Sequence, residues 1–250
     1  MGEWPLGPGI AASPLRVLPP RLNLVQGEVH LWAVRMSVAG QTVPYGFESM
    51  LSEPERSRAR RFVFDRDQRR YIDAQGVLRT LLGRYLGRAP EALAFDSNTY
   101  GKPHLTEDPG LHFNLSHGGD MLFIGVTRVA SIGVDIEPVR SLTHRDELVR
   151  HFFTAEERGV MAKAPSEHRD TLFCRIWTAK EATLKAIGTG LSTPLDSFTV
   201  IVADGPDGRG IIRGLPGPWT LMLTEPAPGY QGALAAAAKD VIVGFGALTL

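Results

Sequence analysis

The chain has one cysteine in 250 residues, Cys174, so no disulfide can form within it, and this usage fits a reducing compartment. Cys174 falls among Leu172, Phe173 and Ile176, where a packed, inert thiol is expected rather than a nucleophile. An excess of charge of either sign is also missing, with 27 Lys+Arg against 27 Asp+Glu. No global field draws the chain to nucleic acid or to an anionic membrane, and any anion site must be local. No apolar run reaches spanning length, and no basic segment followed by an apolar run opens the chain. Leu6 stands where a myristoylation signal after Met1-Gly2 needs Ser or Thr. A cytoplasmic protein with no membrane and no nucleic-acid partner is therefore expected.

Apolar residues make up 43% and charged residues 22%, which is the make-up of a globular domain with a sizeable core. Residues 1–22 are rich in Pro and Gly without a period and read as a loose or draped arm. Val29 to Val34 alternates like a strand. Ser52-Glu-Pro-Glu55 is a capping box that opens a short helix through about Phe62. A longer helix runs from about Arg66 to Leu86 and stops at Gly87. Extended chain from Phe95 to Leu105 is followed by strands at His112–Leu115, Met121–Thr127 and Ser131–Glu137. A helix near Thr143–Phe153 and a second capping box, Thr154-Ala-Glu-Glu157, lead to a long helix from Ser166 to Gly188. From Phe198 onward strands return. The fold class expected is α+β, in two similar lobes, 1–130 and 131–250, with the changeover near Ala130. No residue-level repeat supports the halving.

Chemistry concentrates in two stretches. In the long helix Trp177, Glu181 and Lys185 are four apart and share a face beside the apolar stripe. In Ile132-Gly-Val-Asp-Ile-Glu137 the apolar residues point one way, and Gly133, Asp135 and Glu137 point the other. The two acids lie about 7 Å apart along a strand and repel each other unless a cation bridges them. Gly133 leaves room on that face for something large. With Glu181 they make three oxygen donors without a His/Cys cluster, a set that suits Mg²⁺ and hence a diphosphate substrate. Cations for the phosphates are Lys185, Lys102 in Tyr100-Gly-Lys-Pro103, the Arg56–Arg61 cluster, and His117, which precedes a Gly-Gly turn whose amides could meet an anion. Taken singly, each of these has a bland reading as a surface pair, a solvated face or an incidental histidine.

Their order along the chain is more specific. Tyr-Gly-Lys-Pro103, Phe-Asn-Leu-Ser-His117, Gly-Val-Asp-Ile-Glu137, Phe-Phe-Thr-Ala-Glu-Glu157 and Trp-Thr-Ala-Lys-Glu-Ala-Thr-Leu-Lys185 together resemble the 4′-phosphopantetheinyl transferases, in the monomeric, two-lobed class that activates surfactin-type synthetases. The resemblance covers about residues 50 to 200. It implies a pseudo-dimer of two α+β lobes with the active site in the cleft between them, coenzyme A bound in that cleft, and transfer of its phosphopantetheine arm to a serine of apo acyl or peptidyl carrier proteins. It places Asp135, Glu137 and Glu181 as Mg²⁺ ligands, Glu181 and Lys185 as catalytic residues, and Arg56, Arg58, Lys102, Ser116, His117 and Lys185 as coenzyme A contacts. On that reading the loss of Lys102 or Arg58 mainly raises KM for coenzyme A. Rival readings are a Mg²⁺-dependent nucleotide diphosphate hydrolase and a non-catalytic coenzyme A-binding module.

Overall fold

The computed structural model describes residues 13–36, 46–202 and 208–250. Among them two five-stranded sheets form the centre. The first is ordered β1 (Ser13–Pro14), β12 (Ile242–Thr249), β2 (Glu28–Arg35), β6 (Met121–Thr127) and β5 (His112–Gly118). The second is ordered β7 (Ile132–Pro138), β11 (Tyr230–Ala236), β10 (Thr220–Thr224), β9 (Arg209–Arg213) and β8 (Thr199–Val202). A hairpin of β3 (Phe95–Ser97) and β4 (Pro103–Leu105) stands beside them.

The alternation in β2 explains how the sheets stack. Trp32 and Val34 pack against Val77, Leu78, Leu81 and Leu82 of the helix α3 (Asp65–Leu86). The other set, Val29, Leu31 and Ala33, joins Phe123 of β6 against Ile132, Val134 and Ile136 of β7 and Leu234 of β11. On the far side Ile176, Ala179 and Leu184 of α6 (Arg169–Ile187) cover Leu221, Leu223, Ala233 and Ala235. The layers therefore run helix, sheet, sheet, helix. Each fully buried Val, Leu or Ile in the middle layer contributes on the order of 1.5–3 kcal/mol, so the contact between the sheets is a core in its own right.

Three expectations shift at the ends of elements. The helix α2 (Glu53–Ala59) stops before Phe62, leaving Phe62, Val63 and Phe64 exposed in the turn to α3. The long helix begins at Arg169, because Ser166 opens a single 3₁₀ turn and bonds its neighbour Glu167 instead of capping. The arm is not loose where it is described, although residues 1–12 lie outside the described residues. Leu15 and Leu22 are buried, β1 pairs with β12, and Arg84 Nη1 donates to the carbonyls of Leu18 and Pro19 at 2.6 Å. An aperiodic, proline-rich stretch gives no sign of such docking. The final strand also leaves its neighbours in sequence, since β12 pairs in parallel with β2, with Phe245 opposite Leu31.

A repeat absent from residue identities is present in the bonding. In the first lobe the capping-box Glu55 accepts the Ser52 N–H at 2.7 Å and the buried Arg79 guanidinium at 2.6 Å. Arg79 also donates to the carbonyls of Pro90 and Leu93, and its guanidinium carbon lies 4.9 Å from the Phe95 ring centre. In the second lobe Glu157 of α5 (Ala155–Lys163) accepts the Thr154 N–H at 2.8 Å and the buried Lys180 ammonium at 2.9 Å. Lys180 donates to the carbonyls of Leu195 and Phe198, with Nζ 4.6 Å from the Phe198 ring centre. Burial of each ion pair is tolerable only because backbone carbonyls satisfy the remaining cation donors. Removing Lys180 alone (Lys180→Met) is expected to cost about 3–5 kcal/mol in denaturant unfolding, because Glu157 is left buried and uncompensated. Adding Glu157→Gln to that variant should recover part of the loss.

Candidate active site

Position 133 sets the site. A Cβ on Gly133 would collide with the carbonyl oxygen of Ala182 and the amide of Ala186, so α6 lies with its backbone directly on β7. The room expected beside the strand acids is filled by the helix itself. That close approach brings Lys185 of α6 to Asp135 of β7. Lys185 Nζ donates to Asp135 Oδ1 at 2.7 Å and to Ser116 Oγ at 2.8 Å, and the Ser116 hydroxyl donates to the same Oδ1 at 2.7 Å. The second oxygen of Asp135 is buried without a hydrogen-bond partner among the described residues.

Glu137 lies two residues along the same face of β7. Burial, then the charge of Asp135, pushes its carboxyl up to about 7, against the opposing pull of Arg140 and Lys185. Glu181, one helical turn before Lys185, is raised for the same two leading reasons, burial and Asp135. The three acids thus sense one another. Among the described residues no three Asp, Glu, His or Cys side chains are gathered closely enough to hold an ion as they stand. Mutual repulsion keeps carboxylates apart, and the Lys185 ammonium takes the place of a cation against Asp135.

Ser116 reaches Asp135 because β5 lies alongside β7 without backbone pairing: Asn114 Oδ1 accepts the Val134 N–H at 2.8 Å. A Cβ on Gly118 would strike the Ile136 carbonyl, and one on Gly119 (φ 57°) the Tyr230 hydroxyl. Tyr230 donates that hydroxyl to Asp120, which also binds Arg35. The Gly-Gly turn expected to offer amides to an anion is instead a close contact between the lobes, and the Asp120 N–H is directed at Tyr230.

Two adjoining hollows share Gly101, Pro103 and Leu115. The smaller, about 310 Å³, is lined by Glu181, Lys185, Lys102 and Asn114. The larger, about 760 Å³, is lined by Arg58, Arg70, Tyr71 and His117. Burial, then Lys185 and Arg70, lowers the His117 pKa against the opposing pull of Asp135, and Glu55 and Asp67 stand among the same lining residues. Arg58 stacks over Tyr71, with its guanidinium carbon 5.4 Å from the ring centre.

Two expected contacts sit differently. Arg56 bonds Glu53 and the Leu51 carbonyl within α2 and its entry, and it does not line either hollow. The Lys102 ammonium binds Ser131, Ile132 and Ala186 and faces protein oxygens. Arg70 was not expected, although a signal for it exists: it extends the α3 stripe of Ala74, Val77 and Leu81, where a charge breaks the apolar pattern.

Comparison with known proteins identifies the class to which a cleft so lined belongs. The family model described as the 4′-phosphopantetheinyl transferase superfamily matches residues 131–235, and that of the 4′-phosphopantetheinyl transferase N-terminal region matches residues 45–128. The chain is 37% identical over 177 residues to the 4′-phosphopantetheinyl transferase HetI of Nostoc sp., covering 70% of this chain and 74% of the relative. It is 32% identical over 187 residues to psf-1 of Bacillus pumilus, covering 74% and 78% of the two chains. It is 31% identical over 197 residues to Sfp of Bacillus subtilis, covering 78% and 85%; both relatives carry the same transferase description. The chain belongs to the 4′-phosphopantetheinyl transferase family. Members of this family take coenzyme A as a substrate and act on carrier proteins.

Among the described residues no helix is long and apolar enough to cross a membrane. Cys174 is buried, and burial pushes its thiol up to about 11. Since only the thiolate reacts, Cys174 should resist iodoacetamide in the native protein at pH 8 and become labelled on unfolding, as read by mass spectrometry.

Proposed function

We propose that this chain transfers the 4′-phosphopantetheine arm of coenzyme A to a serine of an apo acyl or peptidyl carrier protein and releases adenosine 3′,5′-bisphosphate. The lobes are residues 1–130 and 131–250, with β12 exchanged into the first, and the protein acts as a cytoplasmic monomer. The observation that carries this reading is the Asp135–Lys185–Ser116 contact at the joint of the cleft, flanked by Glu137 and Glu181. In the reaction the serine oxygen forms a bond to the β-phosphorus as the bridging bond to the α-phosphate breaks. The displaced oxygen leaves on the adenosine bisphosphate, and the serine proton goes to a base. Glu181 lines the hollow beside Lys185 and is placed to serve as that base, directly or through a water it orients.

Asp135, Glu137 and Glu181 would hold Mg²⁺. The donor chemistry suits it once the three carboxyls draw together: Glu137 and Glu181 are raised by burial and by the charge of Asp135, and one buried Asp135 oxygen has no hydrogen-bond partner among the described residues. When bound, the ion neutralises charge on the diphosphate. Lys185 orients and neutralises the transferring phosphate, and Ser116 keeps Lys185 and Asp135 in register. His117, Arg58 and Arg70 receive the remote phosphate of the nucleotide end. Arg56 supports α2 and is not a contact in this reading. Phosphoryl transfer asks little else of a protein beyond such positioning and charge.

Incubation with coenzyme A, Mg²⁺ and an apo-carrier protein should add one phosphopantetheine mass to the carrier. Chelation should stop the reaction and restored Mg²⁺ revive it. Asp135→Asn, Glu181→Gln and Lys185→Ala should each lower kcat by about 10²-fold or more. Undiminished labelling by the Asp135 variant would remove the metal assignment, and release of phosphopantetheine to water without a carrier would indicate a hydrolase. Arg70→Ala should raise KM for coenzyme A with kcat nearly intact, because it meets a part of the substrate remote from the reacting phosphorus.

A further inference from the structure

The last carbonyls of a helix have no donors within the helix and must find them elsewhere. At the end of α6 they find them in the β3–β4 hairpin, which sequence order assigns to the other lobe. Lys102 Nζ donates to the Ala186 carbonyl at 3.2 Å, and Asn98 Nδ2 donates to the Gly188 carbonyl at 2.9 Å. The same ammonium donates to Ser131 Oγ at 2.7 Å and to the Ile132 carbonyl at 2.9 Å, at the start of β7. Ser131 closes the loop by donating to the Ala186 carbonyl at 2.6 Å. A lysine ammonium has three protons, and here each has a protein oxygen as its acceptor.

The hairpin that delivers Lys102 is itself held in shape. Asn98 Oδ1 accepts the Tyr100 and Lys102 N–H groups at 3.0 and 2.9 Å, and Asn98 N–H donates to the Lys102 carbonyl at 3.0 Å. Gly101 takes φ 86° at the tip and Gly188 takes φ 78° where α6 ends. A cation at a helix C-terminus is also favoured by the helix dipole.

We propose that Lys102 and Asn98 are positioning residues: they latch the end of α6 to the start of β7 and so fix Lys185, the neighbour of Ala186, against Asp135. The latch joins the two elements that carry Asp135, Glu181 and Lys185, and it does so from outside both. Lys102 thereby acts on the reacting centre without touching coenzyme A through its ammonium. The activity readout of this proposal rests on the transferase reading, while its structural readout does not.

Lys102→Met keeps the length of the side chain and removes the charge, and Asn98→Ala removes the second bond. With rates normalised to folded enzyme by circular dichroism, Lys102→Met should lower kcat about ten-fold or more, since small misplacements of reacting groups are costly. Its KM and calorimetric Kd for coenzyme A should stay within about two-fold of the parent values. The double variant should lose little more than Lys102→Met alone, because both bonds serve one latch. Amide hydrogen exchange of residues 184–190 should quicken in Lys102→Met while α3 keeps its protection. This last measurement needs no carrier protein, so it stands even if no carrier is modified. A weakened Kd for coenzyme A with kcat intact would make Lys102 a phosphate contact and overturn the proposal. So would unchanged exchange at residues 184–190, or exchange quickened equally throughout the chain.

Discussion

The close seating of α6 on β7 governs the rest of the site. Only a residue without a side chain at position 133 allows the helix backbone to touch the strand, and only that contact brings Lys185 within 2.7 Å of Asp135. The same seating buries Asp135, one of whose oxygens has no hydrogen-bond partner among the described residues. It also places Glu181 and Glu137 where burial and Asp135 raise both their carboxyls. Fixed charge in a partly desolvated cleft needs no reorganisation when a phosphate arrives, and that is where electrostatic catalysis draws its strength.

The two lobes have a common construction despite unlike sequences. A capping-box glutamate, a buried cation from the long helix that follows, two backbone carbonyls beyond that helix and a phenylalanine ring recur in both. Each helix then ends at a glycine in left-handed geometry, Gly87 and Gly188. The exchange of Ser for Thr and of Arg for Lys between the copies leaves the hydrogen-bond pattern intact. That pattern is a structural repeat that the residue identities do not show. The Asp135–Lys185 contact sits in the strand-helix seam of the second lobe. At the matching end of α3, Arg84 binds the carbonyls of the N-terminal arm instead.

Much of this was legible in the sequence, for reasons tied to local chemistry. Capping boxes at Ser52 and Thr154 and helix-ending glycines at 87 and 188 are read within a few residues, and they stand where expected. The alternation from Ile132 to Glu137 correctly divided the apolar face from the acids. What escaped was long-range: which core the arm drapes over, the pairing of β12 with β2, and the acceptors of Lys102. A surface-like lysine and a buried one read alike until the partner carbonyls are in place. Gly133 and the Gly118-Gly119 pair misled in the same way. A glycine announces close approach, but the sequence does not say whether the approaching group is a ligand or the chain's own backbone.

The parallel pairing of β12 with β2 has a consequence for biogenesis. Strand β2 is made early, yet one of its two neighbours is not synthesised until residue 242 has been passed. Until then its edge is a bare row of amides and carbonyls, open to any stray strand. Ribosome-bound chains would therefore carry an incomplete first sheet until residues 242–249 have emerged, and the first lobe could not mature as an independent unit ahead of the second.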